Sequence, residues 1–556
     1  MPSAETPDLQ GAFPRLGDEQ IAALSARGER RSTRAGEVLY REGEPASDFI
    51  VVLEGLVAIV EDDGERELAV HGPGRFLGEV NLLTGQPAFL TAVVREPGAV
   101  LVVPLEGLRD VVARDARLGD LIVQAYLTRR SLLIELGSGF RIVGSRYDPD
   151  TRRLREFAAR NRLPHRWLDL ESDPQAEALL RELGIGPQDT PVVIWRGQTV
   201  LRNPGTAELA RRIGLRPTTP AQLDCDLLVV GAGPAGLAAA VYGASEGLAT
   251  VVLDGVATGG QAGTSSRIEN YLGFPSGISG AELAERAVIQ ARRFGARITV
   301  PAKATGLERL DGHHVLRLDD GSAVRALTVL IATGARYRRL DVPRIGELEG
   351  ISVYYAATWM EAQLCAGDPV VIVGGGNSAG QAAVFLAAHV HRVHLAIRHE
   401  DLGRDMSRYL VDQIERTPTV EVLPCTELRE LAGEGALDAV IVEDRRTGRR
   451  RRLGARALFV FIGAEPHTGW LEGQLAVDER GFVLTGPDAV ASAIHADGWD
   501  LVRRPLPLET SRAGVFAAGD VRSGAIRRVA SAVGEGAMAV RMVHEHREQL
   551  GGGHAP

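Results

Sequence analysis

The stretch Asp226–Asp254, DLLVVGAGPAGLAAAVYGASEGLATVVLD, reads as strand, tight turn, helix and second strand. Leu227–Val230 is an apolar run with the length of a buried parallel strand. Gly231, Gly233 and Gly236 follow in the G-x-G-x-x-G spacing. The first glycine permits the tight turn, the second lets the backbone approach a pyrophosphate, and the third lets helix and strand pack closely. Pro234, Ala235 and Gly236 open a helix predicted over Pro234–Ser245, which turns its free N–H groups and its dipole toward that phosphate. Val251–Leu253 is the next strand, and Asp254 closes it near the spacing of a ribose-binding acid. The ordered series predicts a dinucleotide site. The bland alternative is a glycine-rich turn that packs a βαβ unit and holds no ligand.

Around this centre the chain is long, 556 residues, which predicts three or four domains. Its net charge of −9 argues against a general nucleic-acid surface. Cys225, Cys365 and Cys425 are the only cysteines, and no two form a C-x-x-C pair. That pattern excludes a disulfide framework and a zinc ribbon, and it fits a reducing, cytoplasmic setting. No metal site is expected. The start MPSAETPDLQ has no basic region followed by an apolar core, so no signal peptide is expected. Leu227–Ser245 is uncharged and long enough to span a membrane, but its glycines and proline sit where a nucleotide turn needs them. A membrane role is therefore not expected. Lys303 is the only lysine, so a single arginine carries little meaning by itself.

Glu37–Val103 alternates short β-rich runs with glycine turns, which predicts a small antiparallel barrel or sandwich, and a helical stretch follows over Leu105–Leu136. The segments Gly43-Glu44-Pro45, Phe49–Val52 with Leu53-Glu54-Gly55, and Phe76–Pro87 (FLGEVNLLTGQP) resemble a cyclic-nucleotide-binding domain. The resemblance implies that Glu79 takes a ribose hydroxyl and that Gly78 and Val80 offer backbone N–H groups to a cyclic phosphate. The family's arginine, Ser/Thr and Ala read here Leu90-Thr91-Ala92, so Thr91 remains and the phosphate's charge partner does not. A cyclic nucleotide is thus a doubtful ligand. A degenerate sensor used for dimerisation, or for an uncharged ligand, is the alternative.

Residues 138–216 read as strand (Phe140–Gly144), helix (Thr151–Arg162), strand (Arg166–Leu170), helix (Pro174–Leu183), strand (Thr190–Trp195) and a last helix to Leu215. This order resembles a thioredoxin or glutaredoxin fold, with Thr190-Pro191 matching that family's cis-proline. Ser145–Asp150, where the redox pair would lie, holds no cysteine. The domain is expected to be either a cysteine-free adaptor or a spacer. Residues 217–223 read as a linker.

From Asp224 onward the chain resembles the low-molecular-weight thioredoxin reductases, FAD-dependent pyridine nucleotide-disulfide oxidoreductases. Gly259-Gly260-Gln261, Glu269-Asn270-Tyr271 and Ile331-Ala332-Thr333-Gly334-Ala335 match that family's flavin segments. The resemblance places Gly260, Gln261, Asn270, Thr333, Gly334, Gly519, Asp520, Arg528 and Val529 at the flavin. A second nucleotide turn follows the predicted strand Pro369–Val373. Gly374, Gly376 and Ala379 give the G-x-G-x-x-A spacing, with Asn377 and Ser378 inside it. The helix is predicted over Gln381–Ala388 and the next strand over Val393–Ile397. Arg398 and His399 stand where an NAD site carries an acid, which favours the 2′-phosphate of NADPH, and Arg404 and Arg408 are candidate helpers. The family's Cys-Ala-Thr-Cys aligns with Ala356-Ala357-Thr358-Trp359, so both redox cysteines are absent. Trp359 is expected to fill the space they leave, or else to stack near the flavin.

The expected architecture is multidomain: an N-terminal antiparallel β-barrel with helices (10–136), a thioredoxin-like α/β domain (138–216), then two Rossmann-like α/β domains. The FAD-binding domain is expected in two parts, 224–338 and 465–545, around an NADPH-binding domain over 339–464. The reading favours an NADPH-oxidising flavoprotein with FAD whose acceptor is not a dithiol. A thioredoxin-disulfide reductase and a non-catalytic redox sensor are the alternatives. No side-chain acid, base or nucleophile is identifiable. The family resemblance also implies a homodimer.

Overall fold

The computed structural model describes residues 5–45, 48–61, 66–195, 199–215, 222–265, 267–349, 351–355, 357, 359–491 and 503–551. Much of the predicted linker, 217–221, and the predicted Ala356 and Thr358 lie outside the described residues. The chain forms two compact units. One comprises residues 1–221 with 255–257 and 288–302, and the other comprises the remainder.

In the first unit, Glu29–Thr33, Val38–Tyr40, Asp48–Glu61, Arg66–His71 and Thr91–Pro104 form one antiparallel sheet. Asp48–Glu61 and Thr91–Pro104 are 14 residues each and pair along their length, with register shifts between Val52 and Val57. Gly55 lies at those shifts with φ +85°, where a Cβ would stand 2.4 Å from the Glu96 carbonyl, so only glycine fits. The helical stretch expected over 105–136 is two helices, Leu105–Arg114 and Ala116–Glu135. Asp115 breaks it, because its side chain accepts the Leu118 N–H and caps the second helix.

A four-stranded mixed sheet follows in the order His165–Asp169, Phe140–Gly144, Val192–Trp195, Thr199–Arg202. The first pair is parallel and the next two are antiparallel. Pro149–Arg160, Pro174–Glu182 and Thr206–Arg212 are its helices, and Thr190–Pro191 is a cis peptide. This sheet shares a core with the antiparallel sheet before it, where the Trp195 ring meets the edges of Phe89 and Phe140.

In the second unit, Thr250–Leu253, Gln222–Val230, Ala323–Ile331 and Val515–Ala517 run parallel in that spatial order. A second parallel sheet runs Val353–Tyr354, Ala457–Val460, Pro369–Val373, Arg392–Ala396, Val420–Leu423. Ala457–Val460 therefore belongs to the second nucleotide sheet, within the span 339–464 expected for the NADPH-binding domain. The crossing is a two-stranded ribbon in which Ala335–Tyr337 pairs antiparallel with Ala464–Pro466. No helix among the described residues is long and apolar enough to cross a membrane.

Candidate functional site

The two glycine turns are built alike, one on each parallel sheet. Gly231 has φ +110° and Gly374 has φ +146°. A Cβ on Gly231 would lie 2.3 Å from the Ala332 carbonyl oxygen, and one on Gly374 would lie 2.3 Å from the Phe461 carbonyl oxygen. Both oxygens sit just beyond the end of the adjacent parallel strand. The Gly231 N–H donates to Leu253 O (2.7 Å) and the Gly374 N–H to Ala396 O (3.0 Å), each across to the strand on the other side. Each turn thus opens where the chain connections diverge, at the carboxyl end of the sheet, the place where open α/β sheets bind ligands.

The middle glycines behave differently. Gly233 (φ −75°, ψ −175°) and Gly376 (φ −93°, ψ −179°) have backbone angles that any residue adopts. A Cβ on either would meet nothing nearer than 3.9 Å. Neither the backbone nor the packing requires glycine there, and the space beside each is open. Each caps the N-terminus of its helix, Pro234–Ser245 and Asn377–Ala387. At the third position the turns diverge. A Cβ on Gly236 would stand 1.8 Å from the Gly231 carbonyl oxygen, whereas Ala379 is fully buried with its methyl accommodated.

Several predicted residues converge on the first turn. An Asp254 carboxylate oxygen accepts the Ala232 N–H at 2.8 Å, so at least part of the expected ribose acid also braces the turn. A Cβ on Gly260 would lie 3.0 Å from the Cα of Gly233, and one on Gly519 would lie 3.0 Å from Ala235. Burial holds the Asp520 carboxyl above its usual range, with Arg527 pulling the other way. Arg528 precedes Val529, the first residue of the Val529–Gly551 helix, and its carbonyl accepts the Ala532 N–H. Gln261 donates to the Ala335 carbonyl, and Thr333 Oγ1 donates to the His467 carbonyl (3.0 Å) while the His467 N–H returns to Gly334 O (3.0 Å). Asn270 is exposed, and among the described residues no hydrogen bond ties it to the turn.

Two residues here escaped the sequence reading. Glu535 accepts the Gly519 N–H (2.7 Å) and pairs with Arg522. Its signal was a lone carboxylate in the apolar stretch Ala532–Met538. His467 gave no signal, because it acts through its main chain.

On the second turn, Asn377 Oδ1 accepts the Ser407 N–H at 2.6 Å, tying the helix start to the following loop, while Ser378 is exposed. Arg398 and His399 follow the Arg392–Ala396 strand. Arg398 is exposed and has no ion-pair or hydrogen-bond partner among the described residues. Arg404 reaches the His399 ring at 3.0 Å, and Asp405 lies 4.0 Å from it. Arg408 pairs with Asp412 at 2.8 Å on the exposed face of its helix. Substituting Arg398→Glu is expected to cut the rate of flavin reduction at limiting NADPH by about 10- to 100-fold, the worth of a charge-assisted contact. NADH should be little affected. An unchanged NADPH rate would make Arg398 a solvated strand end.

Of the two expectations for Trp359, its exposure speaks against filling the space of the absent cysteines. It neither fills a core void nor is closed in a pocket: it is 57% exposed at the start of the Trp359–Leu364 helix, edge-on to His389 at 5.0 Å. The three cysteines are free and buried. Burial pushes the Cys365 thiol up to about 12, which makes it inert at neutral pH.

The nucleotide-binding cassette of the first unit is also rearranged. Glu79 stands at the N-cap of the short helix Val80–Thr84, where its side chain makes no capping hydrogen bond. Both oxygens are taken by Arg130, at 2.6 and 2.9 Å, in a pair that is almost wholly buried. The Gly78 carbonyl accepts from Arg129 (2.6 Å), and Thr91 Oγ1 accepts the Glu42 N–H (3.1 Å). Leu90 is buried where the phosphate arginine would stand.

The sequence profile of the pyridine nucleotide-disulphide oxidoreductases matches residues 225–536, more than half of the chain. The chain belongs to this family. A cyclic nucleotide-binding domain profile matches residues 30–115. Relatives include a thioredoxin reductase of Treponema pallidum, 32% identical over 59% of this chain and 99% of its own. The 34.2 kDa protein in the rubredoxin operon of Clostridium pasteurianum is 32% identical over 58% of this chain and 96% of its own. Among solved structures, thioredoxin reductase from T. acidophilum covers 59% of this chain and 99% of its own, at 28% identity and a TM-score of 0.52. The protein is accordingly an FAD- and NADPH-dependent oxidoreductase, thioredoxin reductase-like, with a cyclic nucleotide-binding domain ahead of it.

Proposed function

We propose that this oxidoreductase passes electrons from NADPH through FAD to an acceptor other than a dithiol: oxygen, a quinone, a ferredoxin or a small electrophile. The observation that carries the reading is the state of its cysteines. Each is single and buried, and the position aligned with the family's second redox cysteine is the exposed Trp359. Gly231, Gly233, Gly236, Asp254, Gly260 and Gly519 would hold FAD, with Gln261, Thr333, Gly334, Asp520 and the Arg528–Val529 helix start beside them. Gly374, Gly376, Asn377, Ala379 and Arg398 would hold NADPH. FAD supplies the hydride-accepting ring and NADPH the hydride. The chain's own contribution is to orient the two and to keep water from them, since no thiolate is available to relay electrons.

Residues 138–216 fit a thioredoxin-like domain without its thiols. Ser145 bonds Glu171 (2.6 Å), Arg146 pairs with Asp169 (2.6 Å), and Asp148 caps the Pro149–Arg160 helix, so polar contacts occupy the place of the redox pair. A domain so built carries no thiol of its own and serves as an adaptor or a spacer. A homodimer and a cytoplasmic location complete the proposal.

The test is anaerobic titration of the yellow protein with NADPH and NADH, then turnover with a quinone and with thioredoxin. Rapid bleaching by NADPH, quinone turnover and none with thioredoxin are expected. The C225A/C365A/C425A variant should keep its quinone rate within about twofold. Thioredoxin reduction, or loss of turnover in a variant that retains FAD, would sink the proposal. Bleaching by NADPH with slow reoxidation by every acceptor would favour the sensor reading.

A further inference from the structure

The sheet and the Ala116–Glu135 helix of the N-terminal domain enclose a cavity of about 210 Å³. It occupies the region of the cassette residues Gly78 and Glu79. Its wall is mostly apolar: Phe13, Ile59, Ala69, Phe89, Leu90 and Leu133 are all buried against it. The exposed Leu9 and Leu136 mark its mouth. A closed apolar cavity of roughly 150 Å³ stays dry and accepts a benzene ring, so this one accommodates a larger, fused or linked aromatic.

Two of the charged groups at the wall, Glu79 and Arg129, are already engaged, and the third, Glu135, is exposed. Glu79 is closed by Arg130. Arg129 donates to the carbonyls of Ala12 (2.7 Å), Gly78 (2.6 Å) and Phe76 (3.0 Å), and its guanidinium lies 4.6 Å from the Phe76 ring centre. A cyclic phosphate would meet Leu90 in place of an arginine and would be desolvated without a new partner. One polar group lining the cavity is unsatisfied. His71 is 1% exposed, and its Nδ1 has no hydrogen-bond partner. Burial holds its pKa well below the usual histidine range, so at neutral pH the ring is uncharged. His71 is a lining residue of an otherwise largely apolar wall, so a polar end seated against its ring would give the unpaired atom a partner.

We propose that this domain binds an uncharged, largely apolar aromatic ligand in the cavity, with a single polar end hydrogen-bonded to His71, in place of a cyclic nucleotide. The aliphatic and aromatic wall supplies affinity by burying the ligand's rings. His71 fixes its orientation.

N-phenyl-1-naphthylamine and 8-anilinonaphthalene-1-sulfonate share a skeleton and differ by a sulfonate, so they separate apolar from anionic recognition. Titrated into the full-length flavoprotein, the neutral amine is expected to bind saturably, with one site per chain and more tightly than the sulfonate. Cyclic AMP should not displace it. Ala69→Trp, which fills the cavity, should abolish that site. His71→Phe, which keeps the ring's shape and removes Nδ1, should weaken it by about fivefold. His71→Phe decides the matter if Ala69→Trp does not fold. Tighter binding of the sulfonate, displacement by cyclic AMP, absence of a saturable site, or unchanged affinity in either folded variant overturns the proposal.

Discussion

Purified Gly233→Ala protein is expected to fold and to be colourless. The added methyl has room in the chain itself, because no protein atom comes within 3.9 Å of it and the backbone there is ordinary extended structure. It should therefore leave thermal stability almost unchanged. What it would block is the space in front of the Pro234–Ser245 helix start, where a pyrophosphate accepts backbone N–H groups. Losing charge-assisted bonds of this kind, each worth about 1.5–3 kcal/mol, lowers FAD affinity by about a hundredfold or more. Gly376→Ala should give the complementary protein, yellow but not bleached by NADPH. Gly236→Ala should fail in a third way, since its Cβ would stand 1.8 Å from a main-chain oxygen that no rotamer change can move. That variant should lose the fold of the second unit, not merely its colour. Flavin absorbance, NADPH bleaching and thermal melting together distinguish the three. A Gly233→Ala protein that retains FAD with wild-type affinity would remove the first turn from the cofactor site.

The contrast between these glycines also explains what the sequence disclosed and what it hid. Backbone devices are local, so they are written in neighbouring residues. The Pro234–Ser245 helix and the Pro369–Val373 strand have the limits their residues predict. The spacing of Gly231 and Gly374 foretold two turns that structure builds alike. Bonds between distant segments were not legible. The tie of Glu535 to the Gly519 N–H spans 16 residues, and that of Arg130 to Glu79 spans 51. Glu79 illustrates the consequence, since the cassette's spelling is preserved while a partner far along the chain has taken the carboxylate. Trp359 shows the converse. Its position is aligned with a redox cysteine, but its exposure at the start of the Trp359–Leu364 helix depends on how distant segments pack, which the alignment does not reveal.

Arg130→Met is expected to destabilise the N-terminal domain far more than removal of a ligand contact would. The pair's side chains are 1% and 9% exposed, and Arg130 also reaches Gln86 Oε1 (3.1 Å) and the Arg162 carbonyl (3.0 Å). Losing the guanidinium would leave the largely buried Glu79 carboxylate without its partner. Breaking a buried pair from one side costs about 3–5 kcal/mol, most of it from the charge left uncompensated. Hydrogen exchange in the strands Asp48–Glu61 and Thr91–Pro104 should speed up accordingly, by about two to three orders of magnitude. The double variant Glu79→Leu/Arg130→Met removes both charges, so it should recover most of that protection, because an apolar pair of similar volume often replaces a buried ion pair at little cost. Recovery would be incomplete, as Gln86 and the Arg162 carbonyl would still have lost a donor. If Glu79 instead serves a ribose hydroxyl, Arg130→Met should leave exchange nearly unchanged, and the double variant should offer no rescue. The sign of the coupling between the two positions therefore tells whether the cassette's glutamate has passed from recognition to architecture.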